Sequence, residues 1–123
     1  MYTLDTNVII YYLLKESLAT AKLNSILAGN NPIYISTITE LELFAYPQLS
    51  IQEARLIKEI LLSLNIIPID SRIAQIAGRL KALNKVKLAD SVIAATALAT
   101  GTTLLTRNTK DFKNISNLTL EKI

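Results

Sequence analysis

Short apolar runs alternate along this chain with longer stretches in which apolar positions recur every three or four residues. Tyr2-Thr3-Leu4 reads as a strand that stops at Asp5, and Asn7 to Leu14 as an apolar helix. A second helix spans about Ser17 to Ala28 and ends at Gly29-Asn30, a C-cap pair. Pro32 opens a second strand, Ile33-Tyr34-Ile35. Thr37 with Glu40 three residues on forms a capping box for a helix that Pro47 closes, and Ser50 with Glu53 repeats the device before Ile51 to Leu64. In that helix Leu56, Ile57, Ile60, Leu61 and Leu64 make an apolar stripe. Ile66-Ile67-Pro68-Ile69 reads as a third strand, and Asp70 caps a helix from Ser71 to about Leu83. Ala89 to Thr100 is an Ala-rich helix ended by Gly101, Thr102 to Thr106 a fourth strand and Leu118-Thr119-Leu120 a fifth.

Strands separated by helical patterns imply right-handed crossovers, so the expected class is α/β, with a mainly parallel sheet of about five short strands covered by helices on both faces. In such a sheet the functional crevice lies beyond the carboxyl ends of the strands. Asp5 falls there after the first strand and Asp111 after the fourth. Glu42 belongs to the helix after the second strand, and Asp90 opens the helix leading into the fourth. This spacing permits the helix-borne acids to converge without requiring it.

Composition narrows the chemistry. A length of 123 residues with no linker or low-complexity stretch fits one domain over 1–123, and a hydrophobic fraction of 50% suffices for its core. No apolar run approaches the roughly 20 residues of a membrane span, the N-terminus lacks signal-peptide features, and cysteine is absent, so cytoplasm is the expected compartment with no membrane partner. Net charge is +3, from 13 Lys and Arg against 10 Asp and Glu. Setting aside Asp5, Glu42, Asp90 and Asp111 leaves a clearly basic surface around a small acidic spot, which suits a polyanionic substrate. Acids brought together from remote segments repel, so a cluster of them needs a positive centre. With no His and no Cys in the chain, that centre should be a hard ion, Mg²⁺ or Mn²⁺, and not zinc.

Four segments in order, Leu-Asp-Thr-Asn (4 to 7), Ser-Thr-Ile-Thr-Glu-Leu-Glu-Leu (36 to 43), Leu-Ala-Asp-Ser-Val-Ile-Ala-Ala-Thr-Ala (88 to 97) and Leu-Leu-Thr-Arg-Asn-Thr-Lys-Asp-Phe (104 to 112), resemble the PIN-domain nucleases. Among these the chain is similar to the VapC-type toxins of bacterial and archaeal toxin–antitoxin pairs. The resemblance implies a PIN-like three-layer α/β/α sandwich and a magnesium- or manganese-dependent endoribonuclease. It also implies a homodimer neutralised by a cognate antitoxin. Asp5, Glu42, Asp90 and Asp111 match the family's four acids, the last at its more variable place. Thr6 and Asn108 match polar residues that hold carboxylates and water. Glu40 and Glu42 are each followed by Leu, but side chains two apart on a helix point roughly 200° from each other. Glu40 has the capping-box duty, and the family register Ser-x-x-Thr-x-x-Glu-Leu runs Ser36, Thr39, Glu42, Leu43, so Glu42 is assigned.

On this reading Asp5 and Asp90 ligate the metal directly, while Glu42 and Asp111 hold a second ion or coordinated waters. Attack by water and not by the ribose 2′-hydroxyl predicts products with 5′-phosphate and 3′-hydroxyl ends. Taken singly, each acid also has a structural role open to it, Asp5 and Asp90 as N-caps and Asp111 as a turn residue. Arg107, beside the acids, is a candidate phosphate contact. Arg72, Arg79, Lys81, Lys85 and Lys87, in a stretch from 71 to 89 without an acid, are candidates for tracking an RNA backbone. The aromatic first helix, Tyr11-Tyr12-Leu13-Leu14, with the helix from Ile51 to Leu64, offers a groove for an antitoxin helix or peptide. Two other functions compete: a PIN-like scaffold that binds RNA without cutting, and a receiver-type phosphoacceptor domain.

Overall fold

The computed structural model describes residues 1–123 and builds them around one five-stranded parallel sheet. In chain order the elements are β1 (Tyr2–Leu4), α1 (Thr6–Leu13), α2 (Ser17–Leu27), β2 (Ile33–Ser36), α3 (Thr37–Phe44) and α4 (Ile51–Leu61). There follow β3 (Asn65–Ile67), α5 (Ser71–Leu83), α6 (Leu88–Thr100), β4 (Thr103–Thr106), a 3₁₀ turn (Thr109–Asp111) and β5 (Leu120–Lys122). The strand order is β3-β2-β1-β4-β5. No helix is long and apolar enough to cross a membrane.

Successive strand residues face opposite sides, so one sheet feeds two cores. Leu4, Ile33, Ile35 and Leu105 pack on Val8 and Ile9 of α1, Leu23 of α2, Leu43 of α3 and Ile57, Ile60 and Leu61 of α4. On the other face Leu104 and Leu120 meet Ile93, Ala94 and Ala97 of α6, with Phe112 closing the cluster. α5 covers α6 in turn through Ile73 and Ala77 against Val92 and Ala95. Every residue from Ser91 to Ala97 is buried, because α6 lies between the sheet and α5; small side chains let both neighbours approach it. This is the expected three-layer α/β/α sandwich, with all ladders parallel.

The element ends depart from the sequence expectation for identifiable reasons. β3 stops at Ile67 because Pro68 has no N–H for the ladder. α4 stops at Leu61, and the amides of Leu62, Ser63 and Leu64 tighten onto carbonyls three residues back. β5 begins at Leu120, two residues beyond the expected start, where Leu104 pairs with it. The capping box expected of Thr37 and Glu40 does not form. Ser36 is the N-cap of α3, accepting from the Ile38 amide at 3.1 Å, while Thr37 Oγ1 accepts from the Ile69 amide and ties α3 to the chain beyond β3. The Ser50–Glu53 box forms in both directions. Gly101 ends α6 with φ 66°, a left-handed conformation that favours glycine.

Candidate active site

β1 lies between β2 and β4, so the connections from β1 and β4 leave the sheet in different directions and open a crevice at their carboxyl ends. Asp5 stands at that point. Its amide donates to Leu105 O at 3.0 Å, extending the β1–β4 ladder by one bond. It holds the N-cap position of α1, yet its side chain makes no cap bond. The carboxylate turns toward β4, where Oδ2 accepts from Thr106 Oγ1 at 2.8 Å. Thr106 Oγ1 also accepts from the Asn108 amide at 3.0 Å, so one hydroxyl fixes both the acid and the start of the next loop.

Glu42 reaches the same place from α3. It accepts from Thr6 Oγ1 at 2.7 Å, and the Thr6 hydroxyl lies 3.0 Å from that of Thr39. The residue two before it, Glu40, faces a separate surface with Phe44, Arg55 and Lys58. Glu42 is therefore the α3 acid of this site, although the capping role ascribed to Glu40 was not the reason. Asp90 enters from the first turn of α6, whose N-cap is Lys87, and Asp111 from the 3₁₀ turn.

These side chains line one polar hollow of about 290 Å³ together with Asn7, Ile10, Lys87, Ala89 and Asn108. Burial raises the Asp5 pKa, against the pull of the Thr106 hydrogen bond and the Thr6 amide, and repulsion from Glu42 and Asp111 adds to the rise. Burial likewise pushes Asp90 up from 3.8 to about 6, reinforced by Asp5 and Asp111 and opposed by Lys87. Four carboxylates thus line the hollow against one cation, Lys87, which lies on an exposed part of the chain.

The donor set tests which ion fits. Carboxylates, side-chain amides and a hydroxyl are hard oxygen donors, and the chain has neither His nor Cys. The acids share the hollow without three of them gathering into a preformed ligand group. A hydrated Mg²⁺ needs few protein ligands and keeps several waters, so a roomy acid-lined hollow fits it where a tight cage is not required.

The proposed nucleic-acid contacts divide. Arg107 does not line the hollow; its guanidinium pairs with Glu16 at 2.5 Å and stacks 4.2 Å from the Tyr11 ring centroid. Lys81 Nζ donates to Val86 O at 3.0 Å and so braces the α5–α6 connection. Arg72 and Arg79 are exposed on α5, seven residues apart and hence on one face, and Lys85 is exposed beside them in sequence. Lys87 lines the hollow itself. Sequence reasoning had not assigned Thr106 or Asn7 to the site. Thr106 becomes readable only once β4 is known to be the neighbour of β1.

A second, apolar hollow of about 130 Å³ adjoins the first. Ile10, Leu13 and Leu14 of α1, Leu43 of α3, and Leu56 and Ile57 of α4 line it, with Tyr46, Leu49 and Glu53. Ile10 borders both hollows.

Comparison with known proteins agrees with this geometry. The PIN domain family model matches residues 2–118, and the chain belongs to that family. It is 36% identical to ribonuclease VapC2 of Rickettsia felis, over 98% of this chain and 96% of that protein, which places it among VapC-type PIN proteins. Its structure is similar to the crystal structure of VapBC2 from Rickettsia felis bound to a promoter DNA fragment, with TM-score 0.85, 30% identity and coverage of 99% and 98% of the two chains. A toxin–antitoxin complex from Klebsiella pneumoniae matches with TM-score 0.83, 33% identity and full coverage of both chains. The strand order sets the receiver alternative aside, since that fold runs 2-1-3-4-5 and here β1 is flanked by β2 and β4.

Proposed function

We propose that this chain is the toxin of a toxin–antitoxin pair, an endoribonuclease that hydrolyses RNA phosphodiester bonds in the polar hollow with bound Mg²⁺ or Mn²⁺. The observation that carries the reading is the convergence of Asp5, Glu42, Asp90 and Asp111 on one hollow at the switch point of the sheet. Asp5 and Asp90 would hold the ion, and Glu42 and Asp111 would hold its waters or a second ion. When bound, the ion supplies a Lewis acid that acidifies water and offsets charge growing on the phosphoryl oxygens. Thr106 and Thr6 keep the Asp5 and Glu42 carboxylates from turning away. Asn108, exposed at the rim, is placed to orient a water or a phosphate oxygen. Lys87, with Arg72, Arg79 and Lys85 on the adjoining α5 and loop, forms the basic approach for the RNA strand.

The same reading assigns the apolar hollow to a helix or peptide of the cognate antitoxin, whose apolar face would cover Leu13, Leu14 and Leu56. It also includes a homodimer, to which exposed side chains outside both hollows, such as Leu62, Leu83 and Leu88, offer apolar surface.

The test is expression of wild type and Asp5→Asn in growing cells, followed by mapping of RNA 5′ ends. New 5′-phosphate ends should appear with wild type only, and chelator should abolish cleavage by the purified protein. A cyclic 2′,3′-phosphate product would refute the water mechanism. Cleavage surviving in Asp5→Asn would refute the site. RNA binding without cleavage in the presence of Mn²⁺ would establish the scaffold alternative.

A further inference from the structure

Arg107 lies between the two residues through which β4 shapes the polar hollow: Thr106, whose hydroxyl binds Asp5, and Asn108, which lines the hollow. Its own side chain turns the other way. Nη2 meets Glu16 Oε2 at 2.5 Å, and the guanidinium carbon sits 4.2 Å from the Tyr11 ring centroid. Glu16 is a fixed anchor. It is the N-cap of α2, with Oε1 accepting from the Leu18 amide at 3.0 Å and Oε2 from the Ala19 amide at 3.2 Å. Its own amide donates to Tyr11 O at 2.9 Å, and Lys15 before it closes the turn with φ 60°. The side chains of the pair are only 28% and 30% exposed, and the Arg107 hydrogen bond holds the Glu16 carboxyl below its ordinary range.

We propose that Arg107 is a positioning residue. Its clasp ties the corner between α1 and α2 to the loop after β4, and so holds Asn108 and Asp111 in place against Asp5. The need for such a tie follows from the charges. Asp111 sits on an exposed stretch and shares the hollow with Asp5 and Asp90, whose like charges oppose its close approach. The hydrogen bonds inside that loop are all short-range: Asn108 N–H to Thr106 Oγ1 at 3.0 Å, Asp111 N–H to Asn108 O at 3.1 Å and Phe112 N–H to Thr109 O at 3.1 Å. Buried Phe112 anchors the far end, and Arg107 anchors the near one. The corner that receives the clasp follows the helix that contributes Thr6 and Asn7 to the hollow, so the clasp links two segments that line the site.

The proposal rests on the nuclease reading only for its kinetic arm. Arg107→Ala, Glu16→Gln and the double variant are compared with wild type for kcat and KM on RNA, Mn²⁺ affinity and amide hydrogen exchange at Asn108 and Asp111. Each single change should lower kcat about tenfold, the lower end of what supporting residues of a metal site contribute, and leave KM and its salt dependence unchanged. The double variant should lose no more than the worse single one, because both remove the same contact. Mn²⁺ affinity should weaken severalfold, and the two amides should exchange faster. A direct phosphate contact would instead raise KM and flatten its salt dependence in Arg107→Ala while Glu16→Gln stayed normal, which would overturn the proposal. Wild-type exchange at Asn108 and Asp111 in the variants would overturn it as well, whether or not melting temperature falls. If wild type does not cleave RNA, the nuclease reading fails, and exchange with Mn²⁺ affinity still decides the clasp.

Discussion

The two hollows beside α1 share α1 and α3 and differ in chemistry: α6 and the 3₁₀ turn complete the polar one, α4 the apolar one. Thr6 and Asn7 face the polar one, Leu13 and Leu14 the apolar one, and Ile10 stands between them. On α3, neighbouring residues separate in the same way, Glu42 into the first and Leu43 into the second. A turn of helix is enough to divide charge chemistry from apolar contact, because adjacent side chains point about 100° apart. Leu43 and Ile57 of the apolar hollow belong to the buried core, whereas the polar one sets like charges against each other. Their proximity has a functional consequence on the proposed reading: a partner segment seated on Leu13, Leu14 and Leu56 ends beside the acids and is positioned to restrict access to them.

The sharpest way to break this division is a crossed pair of variants. Asp90→Asn should lower RNA cleavage by about 10³-fold or more while leaving antitoxin affinity and metal-free stability at or above wild type. Leu56→Glu should do the reverse, weakening antitoxin binding about tenfold or more with cleavage intact. Loss of cleavage in Leu56→Glu with the fold retained would show that the hollows do not act separately. A smaller effect is expected of Thr106→Val, which removes the hydroxyl that orients Asp5; kcat should fall about 10- to 100-fold, and Mn²⁺ titration should show weaker binding.

The smallest effect concerns pH. Asp90 is raised from 3.8 to about 6 in the folded protein, so between those values the folded state holds more proton than the unfolded one. The Asp90 contribution to the stability of the metal-free protein is therefore greatest below about 4 and is lost as pH rises through 6. Because Asp90 is half exposed, screening reduces the loss to on the order of 1 kcal/mol. Denaturant titrations at several pH values should show this slope in wild type, a reduced slope in Asp90→Asn, and an unchanged slope in Leu56→Glu.

Much of this molecule was readable along the chain. The alternation of apolar runs with helical stripes determined the α/β class and nearly every element, because burial imposes a period of two on strands and 3.6 on helices. The four acids stood out because their residue type, flanking motifs and places at element ends coincided. What could not be read was adjacency. That β4 and not β3 lies beside β1 decides that Thr106 binds Asp5, and nothing local in Leu104-Leu105-Thr106 encodes it. The same holds for Ser36 taking the cap expected of Thr37, whose hydroxyl is drawn to Ile69 by the neighbouring strand. Arg107 shows it most plainly. Its place next to the acids suggested a substrate contact, yet its side chain is committed to Glu16, 91 residues earlier. Local pattern determines which elements form and which groups are available. Only tertiary packing decides which partners those groups meet, since hydrogen bonds and charge pairs between remote segments exist only after the sheet order has brought them within a few ångströms.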